Sequence, residues 1–167
     1  MKRLAIAICM VAVGASGCGS STPTNPSSFK VFTVSLLPAN EVPPVTNAEQ
    51  SGRGTAVVTI HSDTNTVDFS FSLTGFPANT NVILAHIHPG AAGVNGGALV
   101  GVTGLSAGTP LLLTDGTGTF TVSGVSAQSN ANSAATNVSN ILAAPQNFYF
   151  NVHTTNNPGG VMRGQLQ

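Results

Sequence analysis

The chain has 167 residues, 41% of them hydrophobic and only 6% charged, with five basic and five acidic side chains. Nothing resembles a basic patch, which argues against a nucleic-acid partner. Only two cysteines are present, and nucleophilic catalysis finds no support: no serine sits in a Gly-x-Ser-x-Gly elbow, and no close carboxylate pair suits glycosidic acid–base work.

The N-terminus reads as an address. Lys2 and Arg3 precede an apolar run from Leu4 to Val13, too short to span a bilayer, and Ala15-Ser16-Gly17 leads directly into Cys18. This resembles a bacterial lipoprotein signal, with residues 1–17 removed and Cys18 lipidated; the alternative is an ordinary cleaved signal peptide with Cys18 incidental. Ala15 stands where a leucine is usual. Gly19, in place of an aspartate after the cysteine, implies outer-membrane rather than inner-membrane sorting in a host with two membranes, and the expected location is the outer membrane or cell surface. Residues 18–28, rich in Ser, Thr, Pro and Asn, read as a flexible tether. Cys9 falls in the discarded segment, so the processed chain has no intramolecular disulfide and depends on packing. Without Lys2 and Arg3, three basic residues face five acidic ones, a net charge of −2.

Residues 29–167 suffice for one domain and read as β throughout. Strands are expected at Phe29–Leu37, Gly54–Ile60, Thr66–Ser72, Val82–His88, Ala98–Val102, Gly118–Val122, Asn147–His153 and Val161–Leu166. In the third, Val67, Phe69 and Phe71 alternate with Asp68, Ser70 and Ser72, as in a strand with one wet face. Ser126–Ala144 is the exception, and Val138, Ile141 and Leu142 at helical spacing predict a short helix near 131–143. The expected fold is an all-β antiparallel sandwich, Greek-key and barrel-like, in a single domain.

Three of the four histidines lie in extended segments. His86 and His88 are two residues apart and share a face, with Ile87 on the other. If Phe148, Phe150 and Val152 face the core, then Tyr149, Asn151 and His153 face outward. Adjacent strands would bring His86, His88 and His153 together. Three neutral imidazoles with an open position suit copper, with zinc as the alternative. The competing reading is that these histidines hydrogen-bond loop backbone and hold Pro89–Gly97 and Thr154–Gly160 in place. His61, in a hairpin connection, reads as solvated surface.

Four segments carry a family resemblance. Leu37-Pro38-Ala39-Asn40-Glu41-Val42-Pro43-Pro44 resembles the opening motif of CHRD domains, named after chordin, and Ser51-Gly52-Arg53-Gly54-Thr55-Ala56 resembles the next. Ala85-His86-Ile87-His88-Pro89-Gly90-Ala91-Ala92-Gly93 is similar to the central histidine motif. Asn151-Val152-His153-Thr154-Thr155, with Pro158 to Leu166, is similar to the closing signature. The resemblance is to the type found in exported bacterial lipoproteins. It implies a β fold and, for most bacterial members, no assigned activity. The His-x-His strand also resembles, locally, that of copper/zinc superoxide dismutases. A dinuclear centre needs more histidines than this chain supplies, so a redox enzyme with a degenerate dismutase-like site is a minor alternative. The leading expectation is an exported binding module with one copper at His86, His88 and His153. A structural or adhesive surface domain without metal is the runner-up. Glu41 and Arg163, in motifs at opposite ends of the domain, are expected to pair structurally; Arg163 would otherwise line the histidine cleft and attract anions.

Overall fold

The computed structural model describes residues 28–167. The signal segment, Cys18 and all but the last residue of the tether lie outside the described residues. Nine strands and one α-helix form among them: β1 Phe29–Leu36, β2 Arg53–His61, β3 Thr66–Thr74, β4 Thr80–Pro89, β5 Val100–Gly101, β6 Leu111–Leu113, β7 Gly118–Ser126, α1 Ala134–Ala143, β8 Phe148–Thr154 and β9 Met162–Gln165.

The strands make two antiparallel sheets. The first has the order β1-β2-β3-β7, and the second β5-β4-β8-β9, with β6 also paired to β4. Alternating apolar residues on the inner faces drive the two sheets together. Phe32, Val34, Val58, Ile60, Phe69 and Phe71 of the first meet Ile87, Phe150, Val152 and Met162 of the second, all buried. Phe150 bridges the layers, with ring centroids 5.6 Å from Phe69 and 5.7 Å from Phe71.

The sheets form the all-β antiparallel sandwich expected, without closing into a barrel. Their backbones hydrogen-bond to each other at one seam, where the Leu37 amide donates to the Arg163 carbonyl (3.3 Å) and the Arg163 amide to the Leu37 carbonyl (3.4 Å). Gly164 permits this approach, because a Cβ there would lie 2.2 Å from the Ser35 carbonyl oxygen. The helix is present where periodicity placed it, and the Ser133 hydroxyl caps it by accepting from the Thr136 amide. Ala98–Val102 yields only the two-residue β5, while β6 was not anticipated.

β4 and β8 are neighbours. Their register sets Ile87 opposite Phe150, His88 opposite Tyr149 and His86 opposite Asn151, and a shift between Val82 and Leu84 sets Leu84 opposite His153. The outer face of the second sheet is therefore where the histidines converge. Every residue of β8 is buried, because residues 41–47, 90–97 and 154–160 fold over that face.

Candidate metal centre

His86, His88 and His153 each offer one ring nitrogen, and these three nitrogens lie within 4.8 Å of one another. His86 Nδ1 is 3.2 Å from His153 Nε2. Two nitrogens bound to one ion at about 2.0–2.1 Å stand roughly 3.3–3.5 Å apart, so this pair already has a chelating separation. The rings meet nearly edge to face: His86 and His153 at 5.0 Å and 76°, His86 and His88 at 5.4 Å and 90°.

Backbone carbonyls orient two of the rings. His88 Nδ1 is 2.9 Å from the Gly96 carbonyl oxygen, and His153 Nδ1 is 3.0 Å from that of Pro158. A carbonyl only accepts, so each Nδ1 carries the hydrogen and each Nε2 keeps its lone pair. This is the outer support that metal-binding histidines ordinarily have. His88 Nε2 is buried without any partner, which for a polar atom needs a reason. His153 Nε2 accepts from His86 Nδ1–H. A metal at the centre would replace that proton, with His86 shifting to its other neutral tautomer.

Electrostatics keep the site uncharged. Burial, reinforced by the neighbouring His153 and His88, lowers the His86 pKa to about 4. Burial likewise holds His88 and His153 below the ordinary histidine range, against the opposing pull of their carbonyl partners. Neutral imidazole is the ligating form.

A stacked column stands behind His88. Tyr149 lies parallel to it (5.0 Å, 6°), and the Arg163 guanidinium sits over the tyrosine ring at 4.5 Å. The Tyr149 hydroxyl accepts from the Gly96 amide at 3.1 Å, so ring and loop are tied together. Gly96 itself cannot carry a side chain, since a Cβ would lie 1.7 Å from the Pro89 carbonyl oxygen. Parity placed Tyr149 on this face, but the sequence carried no sign of its stacking role.

Arg163 and Glu41 come to the same region without touching. Among the described residues no N–O contact within 4.0 Å joins them, and the ion pair that does form is His61–Asp68 at 2.9 Å. Arg163 instead donates from Nε to the Asn40 carbonyl (2.7 Å) and from Nη1 to Asn95 Oδ1 (2.8 Å) and the Val94 carbonyl (3.3 Å). It bolts the 90–97 loop to the opening motif. Burial pushes Glu41 up to about 7, opposed by the field of Arg163. A cleft of about 830 Å³ runs along the β1–β9 seam past Leu37, Ala92 and Gln165, has Glu41 and Arg163 among its lining, and touches none of the three histidines. His61 stands apart from the cluster and is partly buried against Asp68, a correction to its reading as plain solvated surface.

Glu49 escaped the sequence reading. Its buried carboxylate accepts from Thr154 Oγ1 (2.6 Å), Asn156 Nδ2 (3.0 Å) and Asn157 Nδ2 (2.5 Å). It fixes the loop whose Pro158 carbonyl orients His153. The sole local signal was Asn47, whose side chain caps the short turn by accepting from the Glu49 amide.

The CHRD domain family model matches residues 32–166. The chain belongs to the CHRD domain family. No curated protein and no solved structure matches it. Among the described residues, no helix is long and apolar enough to cross a membrane. The match runs from within β1 to just past β9, so the histidine cluster is part of the CHRD domain.

Proposed function

We propose that this chain is an exported CHRD-domain binding module that holds one copper ion through His86, His88 and His153, with zinc as the alternative metal. One observation carries the reading: three neutral ring nitrogens converge within 4.8 Å, and one of them, His88 Nε2, is buried with no protein partner. A histidine that only braced a loop would need its Nδ1 bond and nothing more. The bonds to Gly96 and Pro158 do favour a bracing role as well, so the metal-free structural reading keeps a footing in the same geometry.

The deciding experiment is equilibrium dialysis of the purified chain against buffered copper, with elemental analysis and with the metal supplied in either oxidation state. One copper per chain is expected, abolished in His86→Ala and His153→Ala and retained in His61→Ala. Occupancy no higher than that of an unrelated control protein overturns the proposal in favour of the bracing role. We further propose a lipid anchor at Cys18 that holds the domain at the cell envelope, on the outer membrane or cell surface. Metabolic labelling with a fatty acid, lost in Cys18→Ser, is the check.

A further inference from the structure

We propose that the three-histidine site is selective for a monovalent ion, copper(I), over divalent ions; this rests on the copper-binding reading and names the oxidation state that reading leaves open.

Charge is the first argument. The ligand set is three neutral imidazoles with no carboxylate or thiolate among them, so nothing in it offsets the second charge of a divalent ion. Behind the site lies a fixed cation. The Arg163 side chain is 1% exposed, and its guanidinium reaches His88 through a single intervening ring, that of Tyr149. The guanidinium is solvated by two carbonyls and an amide oxygen, not by an anion, and its Nη2 is unpartnered. Glu41 is the carboxylate that faces it, held beyond ion-pair contact in a buried position that disfavours its charged form. At about 10 Å and an effective dielectric constant near 20, each added unit of charge on the ion costs on the order of ten-fold in affinity.

Coordination number is the second. Zinc completes a tetrahedron and copper(II) a tetragonal set, so three histidines leave each in need of water or an anion. Copper(I) is satisfied by three nitrogens. His88 Nε2 has almost no solvent-accessible surface, so the centre receives an ion more readily than an ion with its water. Imidazole is not soft enough to select copper(I) by itself, and the selection comes from charge and crowding.

The test is competition on the purified full chain, using silver(I) as a redox-inert monovalent probe against zinc(II), with chelators of known affinity for each. Silver(I) and copper(I) should bind one per chain and at least 100-fold more tightly than zinc(II). Arg163→Gln should narrow the silver-to-zinc ratio roughly ten-fold, Arg163→Lys should keep it, and Glu41→Gln should widen it. Zinc(II) held as tightly as silver(I) by the wild-type chain overturns the inference, whether or not Arg163→Gln folds. So does an unchanged ratio in an Arg163→Gln protein with a native circular dichroism spectrum. In either case the three-histidine metal site itself stands. Failure of every ion to bind overturns that site as well, and is a different result.

Discussion

The outer faces of the two sheets obey the same alternation and come to opposite ends. On the first sheet, Ser35, Thr55, Ser72 and Thr119 form one cross-strand row, and Thr33, Val57, Ser70 and Thr121 the next, all exposed. On the second, the rows are His86-Asn151-Arg163 and His88-Tyr149-Gln165, and every member is buried or half-buried. The strands do not make this difference, for both faces point away from the core. Three loops do, by folding over one sheet and leaving the other bare. Hydroxyls suit a face that water solvates. Ring nitrogens and a guanidinium in the covered face must find partners within the protein, and four of the unpartnered buried side-chain atoms, on Glu41, His88, Asn151 and Arg163, belong to this region. A covered sheet face thus gathers a candidate site, because its polar groups have nowhere else to turn.

The cover is therefore where substitution should do most damage. Glu49→Ala removes one carboxylate and leaves Thr154, Asn156 and Asn157 without their common acceptor. A loss of about 2–4 kcal/mol is expected from urea unfolding, together with weaker binding of the proposed copper ion as the Pro158 carbonyl drifts from His153. A loss below about 1 kcal/mol would show that the loop is held by something else, and that the contrast between the faces is not made by their covers.

Acidification probes the same burial with a smaller effect. His86 titrates near 4 in the folded domain against 6.5 ordinarily, and His88 and His153 shift in the same direction. Between those values the unfolded chain binds more protons, so stability falls as pH drops from about 6.5 toward 4. Glu41 works the other way: raised from 4.5 to about 7, it favours the folded state as pH falls through that window. The shifts of His86 and Glu41 largely offset each other over that window, so His88 and His153 decide the sign, and the urea midpoint of the metal-free protein should fall between pH 7 and pH 5. Glu41→Gln should steepen the fall. A midpoint that rises on acidification in Glu41→Gln, where the opposing carboxyl is gone, would mean that the histidines are not desolvated.

Much of this was legible beforehand, and the limits are physical. Period-two alternation gave the long strands and the shared face of His86 and His88, because side-chain parity is a local property of extended backbone. β6 stayed hidden because three consecutive leucines between Pro110 and Asp115 show no alternation to read. Glu49 meets partners more than 100 residues away, and nothing near it in sequence announces them. Arg163 is one of few charges in this chain. Carbonyls of the 40 and 94 positions surround it instead of a carboxylate, and backbone acceptors are invisible to any pairing of charged residues.

The smallest expected effect lies on the bare face, where it sharpens the comparison most. Ser70 and Thr121 sit opposite one another, exposed, with their hydroxyls 3.2 Å apart. Such a pair exchanges one hydrogen bond for two bonds to water, so its net worth is small. Ser70→Ala and Thr121→Ala should each change stability by less than about 0.5 kcal/mol, and the double variant should show little coupling. Thr121→Ala should cost slightly more of the two, because threonine suits a pleated surface better than alanine does. An effect above about 1 kcal/mol from either would mean that this face, too, is partnered, and that loops are not what separates the two sheets. A null result leaves the polar rows of the second sheet as the ones whose identity the fold depends on, with the ring nitrogens of His86, His88 and His153 at their centre.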